Sequence, residues 1–267
     1  MAKKQVLKSP VKTKASQATR KSITKNAPTA KHFIALMKTH QSDEELIKIQ
    51  RYFKSGEGEY GAGDKFMGIR MGTLFKLAKD SIEMSPTEIS KLLDHSVHEV
   101  RAGALSIMNY QARAKKTDEV HRKVLFDLYL KKHNRINNWD LVDLAAQFVV
   151  GGYLFIANKS RDVLYKLATS KNMWERRTSM VSTAYFIRQG ELDDTFQIAA
   201  LLLNDKQDLI HKAAGGWIRE AGKQDQKKLV AFLDKHAATM PRTMLRYAIE
   251  KLNEKQKDYY MGLKAAS

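Results

Sequence analysis

Trp139 and Asp143, four residues apart in Asn138-Trp139-Asp140-Leu141-Val142-Asp143, are the side chains of this chain best spaced for chemistry. On a helix turning about 100° per residue they share a face, which sets an indole beside a carboxylate. A ring face and a single carboxylate both attract positive charge, so the pair suits a cationic ligand. Asp140 falls in the first turn, where free N–H groups and the helix dipole stabilise an anion without any ligand. Asp143 lies beyond that turn, and Arg177 on the adjoining repeat is placed to be its ion-pair partner. Leu141, Val142, Leu144 and Ala145 supply the buried face that would hold this helix in place.

Other patterns exclude more than they offer. Gly56-Glu57-Gly58-Glu59-Tyr60-Gly61 matches the dinucleotide fingerprint G-x-G-x-x-G, but it follows the end of a helix at Arg51–Lys54 with no βαβ unit around it. It reads as an inter-helix loop. His95 and His98 have the i, i+3 spacing of two metal ligands and lack a third, so capping or surface roles are expected of them. With no cysteine in 267 residues, disulfides, thiolate zinc sites, iron–sulfur clusters and cysteine nucleophiles are excluded together. No serine nucleophile elbow, phosphate-binding P-loop or H-E-x-x-H helix is present either, and the sequence points to no metal and no cofactor.

The elements that must position Trp139 and Asp143 are helices. Four prolines and fourteen glycines are too few for many short strands joined by turns, and from Lys31 onward the apolar spacing follows a helical period. Thirteen segments are predicted, from 31–40 to 241–263, among them 65–80, 97–113, 138–150, 173–188 and 207–222. Ser85-Pro86, Asp118 and Asn138 mark helix starts. Similar short stretches begin at Arg101, Arg177, Lys212 and Arg242, each a base followed by small and apolar residues. Successive starts lie 76, 35 and 30 residues apart, and the 76 divides in two if the helix at Trp139 belongs to the series; a period of 30–40 residues with two helices per unit is the signature of a HEAT-like α-solenoid. The fold class is therefore all-α, a right-handed α-α superhelix of HEAT-like repeats. Stacked repeats align equivalent residues, so those four bases are expected to line a positively charged concave groove.

Charge is concentrated at one end. Of 47 basic and 29 acidic residues, ten bases and no acid lie in residues 1–42, leaving residues 43–267 with 37 bases against 29 acids. Residues 1–30 read as a basic, disordered tail and 31–267 as the helical-repeat domain. The tail is either a solubilising extension or an arm drawn to phosphate backbone, which releases counterions on contact. No run of about 18 consecutive apolar residues marks a membrane span, and no apolar signal core opens the chain. A soluble intracellular protein is expected, cytoplasmic and, in a bacterium, nucleoid-associated.

Read in order, several stretches resemble the DNA alkylation repair family, the AlkD-like alkylpurine DNA glycosylases built from HEAT-like repeats. They are Tyr52-Phe-Lys-Ser-Gly-Glu-Gly-Glu-Tyr-Gly-Ala-Gly-Asp-Lys-Phe66, Asn138-Trp-Asp-Leu-Val-Asp143, Trp174-Glu-Arg-Arg-Thr178, Ile210-His-Lys-Ala213 with Arg219-Glu-Ala-Gly-Lys223, and Met240-Pro-Arg-Thr-Met-Leu-Arg-Tyr-Ala-Ile-Glu250. The resemblance spans about residues 45–255. It implies that Asp143 is the catalytic carboxylate, that Trp139 packs against the lesion nucleotide and that Arg177 is the partner arginine. It also implies DNA contacts from Tyr52, from Arg70 after Met67-Gly68-Ile69, and from a tryptophan in a G-W-x-L-R-E stretch. Here that stretch reads Gly215-Gly216-Trp217-Ile218-Arg219-Glu220, which puts Gly216 at the family's tryptophan position and Trp217 one residue later.

The expected activity is hydrolysis of the N-glycosidic bond of cationic N3- or N7-alkylated purines in duplex DNA. A cationic base is already a good leaving group, so one carboxylate suffices. Trp139, Asp143 and Arg177 would act at the bond, and Tyr52, Arg70, Arg101, Lys212, Trp217 and Arg242 would hold the DNA. The protein is expected to be a monomer whose partner is alkylated double-stranded DNA. Two rivals are a DNA-binding solenoid without catalysis and a protein-binding scaffold.

Overall fold

The computed structural model describes residues 27–263, and every regular element among them is helical. α1 (Ala30–Lys38) and α2 (Asp43–Tyr52) lead into α3 (Met71–Asp80), α4 (Pro86–Leu93), α5 (His98–Arg113) and α6 (Glu119–Lys131). Then comes α7 (Trp139–Ala145), which continues through a π-helical segment, Ala146–Gly151, into α8 (Gly152–Ile156). α9 (Asp162–Ala168), α10 (Met173–Arg188), α11 (Asp193–Leu201), α12 (Asp208–Gln224), α13 (Gln226–His236), α14 (Arg242–Ile249) and α15 (Glu254–Gly262) complete the order.

Two layers result. α3, α5, α7 with its π segment, α10, α12 and α14 pack each against the next, and α4, α6, α9, α11, α13 and α15 cover them from one side. This is the repeat solenoid that the sequence period predicts. The shared core runs through both layers, with Leu105, Ile107, Leu141, Val142, Met180, Ile218 and Leu245 fully buried. Each such side chain contributes about 1.5–3 kcal/mol of transfer free energy. Polar caps fix where helices begin: Ser85 accepts from the Glu88 N–H with Pro86 in the first turn, Asp118 from His121, Asn138 from Trp139 and Asn172 from Trp174. The predicted starts at Pro86, Glu119 and Trp139 are therefore found.

Three boundaries differ, each for a physical reason. The segment predicted from 65 to 80 is extended over its first six residues. The Glu99 carboxylate accepts from the N–H groups of Met67 and Gly68 at 3.1 and 2.9 Å, which holds them out of a helix. Gly68 there has φ +77°, and a Cβ would lie 2.3 Å from the Ser42 carbonyl. The helix predicted over 138–150 runs on to Ile156, because Gly151 lets the π segment press onto α10, where a Cβ would stand 2.1 Å from the Ser182 carbonyl. The segment 241–263 is two helices, and Asn253 caps the second.

Trp139–Ile156 also comes closer to a membrane span than the sequence suggested, with a mean hydropathy of 1.3 over 18 residues. Of that stretch, 61% is buried inside the structure, as in the core helix of a helical-repeat protein. α1 begins at Ala30, and the Thr29 side chain caps it. The predicted tail lies, up to residue 26, outside the described residues.

Candidate active site

Asn138 starts the site. Its side-chain oxygen accepts from the Trp139 N–H at 2.8 Å, which begins α7 and fixes the direction of the two residues that matter on it. The half-buried indole of Trp139 donates from Nε1 to the Tyr60 hydroxyl at 3.2 Å. It meets Tyr52 edge-on, ring centroids 5.8 Å apart, and Phe53 in a tilted contact at 5.7 Å. Tyr52 is 64% exposed, so this aromatic wall ends in a ring open to solvent. The glycine-rich loop is what brings Tyr60 back to the helix, and two left-handed glycines, Gly58 and Gly63, turn it.

One helical turn beyond Trp139, Asp143 meets Arg177 of α10 in a two-point pair, Nε to Oδ1 at 3.0 Å and Nη2 to Oδ2 at 2.7 Å. The third guanidinium nitrogen donates to the Leu209 carbonyl at 2.8 Å, so Arg177 fastens α7, α10 and the start of α12 together. Its side chain is 9% exposed, whereas that of Asp143 is 38% exposed. Asp143 is thus surrounded by protein yet open from one direction, as in a recess. That enclosure raises its pKa, Arg177 pulls it back down, and the nearby charge of Asp140 raises it again. The result is an oriented carboxylate, poised above the ordinary aspartate range and reachable by a ligand.

A second ionic cluster lies behind this one. His98 on α5 is buried, with Nε2 2.8 Å from Asp140 and Nδ1 3.5 Å from Asp64. Burial lowers its pKa, but the contacts with Asp140 and Asp64 outweigh burial and lift it to about 9. Asp64 shows the mirror effect: burial raises its pKa, while His98 and Arg101 bring it down to about 2. The surface or capping role expected of His98 is therefore corrected to a buried, charged one. His95 accepts the Val97 N–H at 3.1 Å through Nδ1 in the turn before α5, whose start has no side-chain cap.

The predicted row of bases divides. Arg101 is corrected: it is 3% exposed and bound to Asp64 at 2.8 Å, to Asn137 at 3.0 Å and to the carbonyls of His95 and Ser96. Buried there, its Nη1 and Nη2 join the loop, the start of α5 and the approach to α7 instead of facing solvent. Arg177 likewise joins repeats rather than offering a free charge. Lys212 is 44% exposed and paired with Asp208 at 2.7 Å. Arg242 is exposed and donates to the Met261 carbonyl on α15. Arg70 is exposed at the start of α3, 3.0 Å from Glu45.

Trp217 is half-buried, packs on Ile187, Leu192 and Ala221, and lines a groove of about 570 Å³ with Arg188, Lys212, Arg219, Lys223 and Tyr247. Gly216 also lines it, and a Cβ there would meet nothing within 4 Å, so the position the family fills with tryptophan is open space here. The structure thus gathers Tyr52, Trp139, Asp143 and Arg177, and sets Lys212 and Trp217 along a groove whose Lys212 acts on Tyr60. The sequence reading missed Tyr60, Asp64 and His98 at the site. Among the described residues no group of three His, Asp or Glu could hold a metal ion.

A helical-repeat protein that holds an accessible, arginine-bound carboxylate beside an aromatic wall is the class this fold and site define. The model of the DNA alkylation repair enzyme family matches residues 33–252, and the chain belongs to that family. Among solved structures it is similar to a predicted DNA alkylation repair enzyme from Enterococcus faecalis, with a TM-score of 0.62, 16% identity, and coverage of 80% of this chain and 98% of that one. At that identity the likeness concerns the fold. No curated protein matches the sequence.

Proposed function

We propose that this protein is a DNA glycosylase that binds duplex DNA and hydrolyses the N-glycosidic bond of cationic N3- and N7-alkylated purines. The observation that carries the reading is the two-point Asp143–Arg177 pair, held one helical turn from Trp139 with the carboxylate 38% exposed. Family membership supports repair of alkylated DNA.

In the proposed reaction the bond between C1′ and the base nitrogen breaks, and its electron pair neutralises the charged base, so no acid has to protonate the leaving group. The sugar becomes an oxocarbenium-like cation. Asp143 stabilises that charge and orients the water whose oxygen bonds to C1′ and whose proton passes to solvent, leaving an abasic sugar and a free purine. A single carboxylate acting on a cationic leaving group differs from the acid–base carboxylate pair of ordinary glycosidases. Arg177 holds Asp143 ionised and aligned, and its two-point geometry keeps the carboxylate from rotating. Trp139, backed by Tyr52 and Phe53, offers its face to a cationic nucleotide at about 0.5–2 kcal/mol. Exposed Lys212 and Arg70 would add phosphate contacts, which carry no sequence information and weaken with salt.

The test is release of free base from methylated duplex DNA by the wild type without added metal; tight, salt-sensitive duplex binding with no release would contradict it. One observation favours a second reading, a DNA-binding solenoid without catalysis: Gly216 leaves open the position where the family carries a tryptophan, and Trp217 is turned into the neighbouring groove.

A further inference from the structure

Beneath the first turn of α7, four ionisable side chains share one buried cluster. His98 touches Asp140 at 2.8 Å and faces Asp64 at 3.5 Å, while Arg101 holds Asp64 at 2.8 Å. The His98 and Arg101 side chains are 1% and 3% exposed, so none of this charge is screened by bulk water. The His98 ring packs in a tilted contact with Phe53 at 4.8 Å and with Phe66 at 5.0 Å, two rings that stack on each other at 5.6 Å, and Phe53 in turn contacts Trp139. Asp140 and Asp143 lie three residues apart on α7, hence on neighbouring faces, and the Asp140 charge acts on Asp143. The charged and titratable groups around Asp143 are Asp140 on its own helix, Arg177 from α10 and the Tyr129 hydroxyl from α6. Those around His98 are Asp64, Asp140 and, through Asp64, Arg101.

The balance of charge then matters. With His98 protonated, two cations meet two anions. With His98 neutral, two anions face one cation: Arg101 binds Asp64 and acts on Asp140 from farther off, and the second Asp140 oxygen, Oδ1, has no hydrogen-bond partner. Asp143, three residues on along the same helix, feels that charge.

We propose that His98 is a positioning residue for Asp143, acting through Asp140: its positive charge screens Asp140 from Asp143 and its two carboxylate contacts fix the start of α7 against the glycine-rich loop. This rests on the reading of Asp143 as the working carboxylate. The device gives one buried side chain control over both the charge of Asp143 and the placement of the Trp139 wall.

The experiment is a carbon-13 carboxyl NMR titration of Asp143 in the full chain, assigned by loss of its signal in Asp143→Asn, for wild type, His98→Gln and Asp140→Asn. The expected result is two shifts of opposite sign. His98→Gln raises the Asp143 pKa by about one unit by exposing it to Asp140, and Asp140→Asn lowers it by about one unit by removing that charge. Both variants disturb the same Nε2–carboxylate contact, so a purely structural role moves Asp143 the same way in both or not at all, and either outcome overturns the proposal. Should His98→Gln not fold, His98→Asn serves as the second neutral variant. The acid limb of base release is expected to follow the same two directions. Opposite shifts in a protein that releases no base would leave this inference standing and remove the glycosylase reading; base release that needs Asp143, with no opposed shifts, would do the reverse.

Discussion

Arg101 and Arg177 occupy equivalent places. Each sits near the start of a helix in the same layer, each binds an aspartate of another segment, and each side chain is less than a tenth exposed. What differs is the carboxylate: Asp64 is 5% exposed, Asp143 38%. One clasp is closed and the other has an open edge. At Arg101 and Arg177 the base that opens each stretch fastens repeat to repeat, and one fastening left open to solvent becomes a candidate for chemistry. Closed, an arginine–aspartate pair fixes geometry; open, the same pair presents a charged oxygen at a fixed place.

The comparison sharpens most under substitution of the two arginines. Arg101→Met leaves Asp64 buried with His98 as its remaining cation, and a loss of about 3–5 kcal/mol is expected in urea denaturation. Arg177→Met should cost less, since Asp143 can turn to water, and should move the acid limb of base release to higher pH because the opposing charge is gone. Equal stability losses for the two variants would break the distinction.

Next in size is a pH effect on the closed cluster. The His98 pKa is raised from 6.5 to about 9 on folding, so its contribution is complete below pH 6.5 and is lost as pH rises through 9. Wild-type stability should fall by on the order of 3 kcal/mol between pH 6.5 and pH 10, and His98→Gln should lack that fall. Asp64 acts at the other end: lowered to about 2, its contribution is present above pH 3.8 and is lost as pH falls through 2. A flat wild-type profile above pH 6.5 would contradict the charged state of His98.

Tyr60→Phe removes only the hydroxyl that holds the Trp139 indole, and about 0.5–1.5 kcal/mol is expected, read as a slower single-turnover release with the melting temperature nearly unchanged. Smallest is Lys212→Ala. If Lys212 meets a phosphate, the log–log salt slope of duplex binding should flatten by about one; an unchanged slope would confine its charge to Asp208.

How far the sequence could be read follows from the same contrast. Trp139 and Asp143 were legible because four residues on one helix decide their common face, and the caps at Ser85, Asp118 and Asn138 were legible because capping is local. The pairing of Arg177 with Asp143, 34 residues away, followed from the repeat geometry. His98 and Asp140 are 42 residues apart and Arg101 and Asp64 are 37, with no periodic signal to join them, so a buried charge cluster read as surface residues. The extended stretch before α3 was hidden for a like reason, since Glu99 holds it from the next helix pair. The π segment depends on how closely Gly151 lets two helices approach, which no single-helix periodicity records.

The most direct measurement is single-turnover release of free base from methylated duplex DNA by Asp143→Asn, at protein concentrations that saturate the DNA, with thermal melting alongside. Asparagine keeps an oxygen for Arg177 and removes the charge. Duplex binding is expected within a few-fold of wild type, the melting temperature within a few degrees, and release slowed by about 100-fold or more. Release within a few-fold of the wild-type rate would contradict this, and the open clasp would then be a fastening like the closed one.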